Sequence, residues 1–183
     1  MSGDPTLPSG VKDGGIHVDS RILDVGCGAG YLIAWLQTQG FSDLTGVDFY
    51  IPEDRCLGND IRVLKSDLTE LDETFDFIML HHSFEHVAGS LQLLRILHAK
   101  TRPGGAVLIR TPVVPSFAWD EYGVDWVQLD APRHLSLHSV RSMDFAANRQ
   151  ASKSNRSNST RPRSSSGEAS SIDSGFLSKT RDR

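Results

Sequence analysis

The chain has 183 residues, 38% of them hydrophobic and 23% charged, with a formal net charge of −4. That length suits one ordinary domain, and the acidic balance gives no support for nucleic-acid binding by charge. The charge is uneven: 11 Lys+Arg stand against 20 Asp+Glu up to Ala147, and 8 against 3 from Asn148 onward. Two cysteines, Cys27 and Cys56, imply no disulfide framework. No apolar run approaches the ~20 residues that span a bilayer, and the N-terminus lacks a signal-peptide core. A reducing cytoplasm is the default expectation.

Residues 1–20 carry Gly3, Pro5, Pro8, Gly10, Gly14 and Gly15, show no period and read as a loop-like leader. Ile22-Leu23-Asp24-Val25 predicts a short buried strand. Tyr31 to Gln39 puts Tyr31, Leu32, Trp35 and Leu36 at helical spacing, and Gly40 closes the helix. Leu44 to Asp48 predicts a second strand ending on a carboxylate. Ile61 to Leu64 predicts a third and Phe75 to Leu80 a fourth. A helix is expected over Leu91–Thr101, with Ser90 as N-cap and Pro103-Gly104-Gly105 as its stop. Ala106 to Ile109 is the fifth strand. Apolar strands separated by helical stretches indicate an α/β fold, a doubly wound and mostly parallel sheet covered on both faces. Residues 21–147 form this domain. From Asn148 to Arg183 there are 11 serines and few apolar residues. Such a basic tail cannot bury enough surface to offset its ordering entropy and is expected to be disordered.

Gly26, Gly28 and Gly30 fall where the first strand should end and a helix begin. In a doubly wound sheet, ligands bind beyond the carboxyl ends of the strands where the strand order reverses. Bare backbone there allows a sharp turn and a close approach, and the next helix directs its positive end at the ligand. Asp48 is placed to accept hydrogen bonds from a ribose diol. The spacing is G-x-G-x-G rather than the dinucleotide G-x-G-x-x-G, with Tyr31 in the third-glycine position. A large ring there is expected to obstruct a pyrophosphate.

"LDVGCGAGYL" resembles the first motif of class I S-adenosylmethionine-dependent methyltransferases. "KSDL", "FDFIMLHHSFEHV" and "LHAKTRPGGAVLIRTP" resemble the motifs that follow it, in family order, over roughly residues 21–145. The resemblance implies a Rossmann-like core and S-adenosyl-L-methionine as cofactor. It implies that Asp24, Gly26 and Gly28 line the methionine end. Asp48 would hold the ribose hydroxyls and Phe49 would lie against the adenine. Asp67 would accept from the adenine amino group, with a backbone contact from Leu68, and His81 and His82 would sit under the sulfonium. "APRHLSLHSV" resembles a segment of members acting on small metabolites, lipid-linked or saccharide acceptors. His82, His134 and Glu85 are the candidate general bases for a hydroxyl acceptor.

The same residues have plainer readings. The glycines can form a tight turn, Asp48 a surface carboxylate and Asp67 a turn cap. His81, His82 and His86 can be packing histidines, Arg133-His134 a helix-approach turn, and Cys27 a small packing residue. Trp119 and Trp126 suit an acceptor pocket or a cover for the sheet. Glu85 and His86 have the chemistry of metal ligands, but two residues without a third make no site, so no metal is expected. Family members continue past the fifth strand with a helix and two further strands, and here serine-rich sequence follows the start of that helix. The junction resembles a truncated or alternatively spliced product, or a change of reading frame. The fifth strand is then an open apolar edge that favours self-association. The alternative functions are a non-catalytic remnant that binds a partner and, further off, a nucleotide-cofactor oxidoreductase. The partners expected are a small-molecule acceptor, with no nucleic acid and no membrane span.

Overall fold

The apolar run Ile22–Val25 forms β1, the strand at which the sheet changes direction. The computed structural model describes residues 15–58, 61–156 and 176–179. After β1 come α1 (Tyr31–Thr38), β2 (Leu44–Val47), β3 (Arg55–Leu57), β4 (Ile61–Leu64) and β5 (Phe75–His81). Then follow α2 (Ser90–Lys100), β6 (Thr101–Arg110), α3 (Phe117–Tyr122), α4 (Val140–Arg156) and β7 (Phe176–Lys179). The strand order is β3-β4-β2-β1-β5-β6-β7. The five inner strands run parallel, and β3 and β7 pair antiparallel at the two edges. The chain winds outward from β1 to β4, then crosses back to β5 on the other side of β1. The switch point therefore lies where the sequence puts it.

Alternation along each strand sends side chains to opposite faces of the sheet. Phe77 and Met79 of β5 pack with Ile33 and Leu36, which α1 presents three residues apart. Ile78 and Leu80 pack on the other face with Leu93, Leu94 and Leu97 of α2 and with Met143 of α4. Both faces are covered, which is why these strands read as apolar throughout. Among the described residues no helix is long and apolar enough to cross a membrane.

The sheet has seven strands, not five. β3 carries the polar, exposed pair Arg55-Cys56 and owes its existence to antiparallel pairing with β4, Arg55 opposite Val63. β7 pairs along β6 from Ile109 opposite Phe176 to Ala106 opposite Lys179. An unpaired edge offers a row of backbone donors and acceptors that must be satisfied, and a short distant segment meets that need. The edge expected to be open is thus occupied, and the premise for self-association through it fails. α4 also continues to Arg156, past Asn148 where disorder was expected to begin. β7 also falls within the tail expected to be disordered, and residues 157–175 and 180–183 lie outside the described residues.

α2 starts one residue earlier than expected, with Gly89 as N-cap and Ser90 already helical. Its end is set by the chain turning extended at Thr101, whose hydroxyl donates to the Leu97 carbonyl at 2.7 Å. Pro103-Gly104-Gly105 lies inside β6, where the pairing with β5 slips between Phe75 and Phe77. Proline and glycine at such an irregularity mark a bulge as readily as a helix stop.

Deleting residues 157–183 should uncover the β6 edge. At ~1 kcal/mol per net hydrogen bond, losing two lowers the melting temperature by roughly 4–8 °C at this chain length. Sedimentation should then show concentration-dependent association. An unchanged melting temperature together with a strict monomer would contradict the pairing.

Candidate functional site

β1 leads into Gly26-Cys27-Gly28-Ala29-Gly30, and Gly30 is the N-cap of α1. At Gly26 the backbone is left-handed, φ +76°, and an added Cβ would sit 2.5 Å from the Ser83 Cβ. The Ser83 hydroxyl donates to the Val25 carbonyl at 2.8 Å. The turns after β1 and β5 are therefore clamped together across the switch point. Gly28 is also left-handed, φ +54°, but an added Cβ would meet nothing within 4 Å. Its backbone borders open space.

The Gly28 N–H donates to Asp48 Oδ2 at 2.9 Å, and the Tyr50 N–H donates to Asp48 Oδ1 at 2.8 Å. Asp48 directly follows β2, whose pairing with β4 carries on through its N–H to the Leu64 carbonyl at 3.0 Å. Both carboxylate oxygens are thereby fixed, and each retains a lone pair for a ligand hydroxyl.

These elements border a cleft of about 1220 Å³, larger than the ~300–1,000 Å³ typical of a single small-molecule site. Gly26, Asp48, Phe49, Asp67, Leu68 and His82 all line it. Six of the predicted site residues thus converge from four separate segments. Phe49 is largely exposed and edge-on to Tyr50, with ring centroids 5.5 Å apart. Asp67 caps a short turn, its Oδ1 accepting from the Thr69 N–H at 2.8 Å and hydroxyl at 2.6 Å. Those bonds hold its carboxyl below the usual carboxylate range. The cap reading and the cleft position both hold for this residue.

Asp24, Gly28 and His81, also predicted for the site, are not among the residues that line the cleft. Asp24 is 3% exposed. Burial, helped by the charge of Asp48, pushes its carboxyl up to about 7. His81 ends β5 with its Nε2 buried and without a hydrogen-bond partner. Burial first, then Arg110 and His82, lower it to about 4, so the imidazole is neutral at physiological pH. The Cys27 thiol is pushed up to about 12, chiefly by burial, which fits a packing residue and not a nucleophile.

The three candidate bases gather together, and of them His82 lines the cleft while Glu85 and His134 do not. His82 is left-handed, φ +52°, with its side chain 60% exposed and Nδ1 3.5 Å from Glu85 Oε1. Glu85 is fully buried, and neither of its oxygens has a hydrogen-bond partner. The His134 side chain is 9% exposed, with Nε2 3.9 Å from the same Oε1. The turn from Asp130 to Arg133 brings it there, and the Leu135 N–H donates to the Glu85 carbonyl at 2.9 Å. Arg133-His134 thus belongs to a turn ahead of α4, and that turn packs His134 against the buried carboxylate. His86 joins the group, its ring 4.8 Å from that of His134. Glu85, His86 and His134 together form a set of potential metal ligands, so the third residue that the sequence did not supply is present.

Other expectations fail. Tyr31 is 83% exposed and does not line the cleft, so its ring has no position from which to exclude a pyrophosphate. Trp119 and Trp126 do not line the cleft either, and Trp126 is buried, which leaves the alternative of a cover for the sheet. Ser83, Arg133 and Leu135 line it without having been foreseen. Of these only Ser83, adjacent to the His81-His82 pair at the end of the fourth predicted strand, had a local signal.

A parallel sheet with a glycine turn, a fixed carboxylate after β2 and a cleft at the switch point define the class I, Rossmann-like S-adenosylmethionine-dependent methyltransferases. The chain belongs to the family described as "Methyltransferase domain", whose model matches residues 11–150. Over 125 residues it is 30% identical to the ubiquinone biosynthesis O-methyltransferase of Azorhizobium caulinodans, covering 62% of this chain and 49% of that protein. Over 98 residues it is 29% identical to the cyclopropane-fatty-acyl-phospholipid synthase of Escherichia coli K12, covering 50% of this chain and 26% of that protein. The chain thus spans between a quarter and a half of the length of these relatives. Among solved structures, the plantazolicin methyltransferase BpumL superposes with a TM-score of 0.60 at 19% identity, over 73% of this chain and 56% of that one. A methyltransferase from Archaeoglobus fulgidus gives 0.55 at 24%, over 72% and 60%. These two likenesses concern the fold.

Proposed function

We propose that this chain binds S-adenosylmethionine in the cleft and transfers its methyl group to a small-molecule, lipid-linked or saccharide acceptor. One observation carries the reading: the open backbone at Gly28 lies hydrogen-bonded to a fixed Asp48 at the switch point of a methyltransferase-family sheet. The residues present suit the cofactor. Asp48 accepts from the ribose hydroxyls, and Phe49 covers the adenine. Asp67, with Oδ1 committed to its cap, offers Oδ2 to the adenine amino group beside Leu68. Asp24, Gly26 and Gly28 receive the methionine end, and neutral His81 lies under the sulfonium without repelling its charge.

When bound, S-adenosylmethionine supplies a methyl already activated on a sulfonium. The protein aligns the acceptor and excludes water. His82 is the base with access to the cleft. Its Nε2 takes the hydroxyl proton of the acceptor while Nδ1 faces the Glu85 carboxylate, which orients the ring. Such a base contributes roughly 10²–10⁴-fold. Glu85 and His134, buried behind it, position His82 and do not touch the acceptor. The volume of the cleft leaves room for an acceptor beside the cofactor, and the names of the two relatives, a ubiquinone-biosynthesis and a phospholipid enzyme, support the lipid-linked class.

The test is transfer of isotopically labelled methyl from S-adenosylmethionine to fractionated lipid and saccharide extracts, read by mass spectrometry. Label in one acceptor class, lost in His82→Ala, is the expected result. Binding of cofactor with no transfer to any fraction would leave a non-catalytic binding module.

Asp48→Ala should weaken cofactor binding by roughly 1–3 kcal/mol, the scale of hydrogen bonds lost from a charged acceptor. Calorimetry on the folded variant measures this directly. Unchanged affinity would remove Asp48 from the site.

A further inference from the structure

We propose that Glu85, His86 and His134 hold a divalent metal ion of the zinc type beside the cofactor cleft. The ligand atoms of the three side chains all lie within 4.8 Å of one another. Zinc bonds nitrogen and oxygen at ~2.0–2.2 Å, so two ligands of one tetrahedral ion stand about 3.4 Å apart. The 3.9 Å between Glu85 Oε1 and His134 Nε2 is close to that separation. The widest pair closes with a side-chain movement of roughly 1.5 Å.

Two independent features point to a cation. Glu85 is fully buried with both oxygens lacking a hydrogen-bond partner, a costly state for a carboxylate. His82 and His134 face Oε1 at 3.5 and 3.9 Å, separations too long to replace the hydrogen bonds that the carboxylate lost on burial. The second feature is the orientation of His86. Its Nδ1 lies 3.0 Å from the Arg133 carbonyl oxygen, which can only accept. Nδ1 therefore carries the hydrogen, and Nε2 is free to ligate, the outer-shell arrangement that fixes metal-binding imidazoles. The backbone bond from Leu135 to Glu85 holds the two contributing segments together at 2.9 Å. His86 and Arg133 line the cleft, so ions have a path in. Two histidines and one glutamate leave a fourth position open.

The experiment uses the full chain, stripped with chelator and without S-adenosylmethionine, titrated with Zn²⁺ by calorimetry and with Co²⁺ by visible absorption. One ion per chain is expected. His134→Ala and Glu85→Gln should each weaken binding at least tenfold, with folding checked by circular dichroism. Cys56→Ser, which removes the exposed thiol, should leave binding unchanged. Absence of saturable binding would overturn the site, as would a thiolate charge-transfer band in the cobalt spectrum. Equal affinity in both His134→Ala and Glu85→Gln would do the same. Because no cofactor is present, failure here leaves the methyl-transfer reading standing, and failure of methyl transfer leaves this site standing.

Discussion

Gly26→Ala should lower stability by roughly 2–5 kcal/mol and abolish cofactor binding. The left-handed backbone at φ +76° costs any residue with a Cβ about 1–2 kcal/mol. The new methyl would also stand 2.5 Å from the Ser83 Cβ, and such overpacking typically adds about 1–3 kcal/mol. Ser83 has little freedom to retreat, because its hydroxyl is tied to the Val25 carbonyl. Relief must come from separating the turns after β1 and β5, and that separation opens the switch point. A domain holds only ~5–15 kcal/mol in reserve, so the loss is a large share. Gly28→Ala supplies the comparison. Its backbone is left-handed too, but its Cβ would enter open space, so only the conformational part of the loss applies. Urea midpoints for the two variants separate these contributions. Equal losses at the two positions would mean that the close approach at Gly26 does not constrain the fold.

Asp24→Asn should remove a pH dependence of stability worth up to about 4 kcal/mol. The Asp24 carboxyl stands at about 7 in the fold, against an ordinary value of 3.8. The folded state thus binds this proton more tightly than the unfolded state. Stability contributed by the neutral acid is fully present below pH ~4, falls as pH rises toward 7, and is level above that. Each pH unit between the two values corresponds to about 1.4 kcal/mol. Asparagine keeps the size of the side chain without the charge. The variant should therefore gain on the wild type between pH 5 and pH 8. Comparing the two proteins at each pH cancels other titrations, including that of His81, which is shifted the opposite way and disfavours the fold in acid. A difference that stays constant from pH 5 to pH 8 would mean that Asp24 is ionised throughout.

The parallel core was legible because its signals are local. Ile22–Val25, Phe75–Leu80 and Ala106–Ile109 are apolar on both faces, and each forms a strand at that place. Gly26, Gly28 and Asp48 were legible because turn chemistry and a carboxylate at a strand end are features of short stretches. β3 and β7 were not, since their residues lack an apolar pattern and pair only because an edge is available. The packing of His134 against Glu85 joins residues about fifty positions apart through a turn whose composition says nothing of its destination. Asp67 shows that alternative readings need not exclude each other, because one oxygen can cap a turn while the residue still borders a cleft. Tyr31 shows the reverse: its position in the motif suggested a steric role that its exposure removes.

The central claim is that the cleft at the switch point takes S-adenosylmethionine. Calorimetric titration of the full chain with S-adenosylmethionine, its demethylated product and NAD tests it most directly. Saturable binding of the first two, one per chain and at least a hundredfold tighter than NAD, is the predicted result. NAD binding as tight as S-adenosylmethionine, or no binding of S-adenosylmethionine to the folded chain, would contradict it.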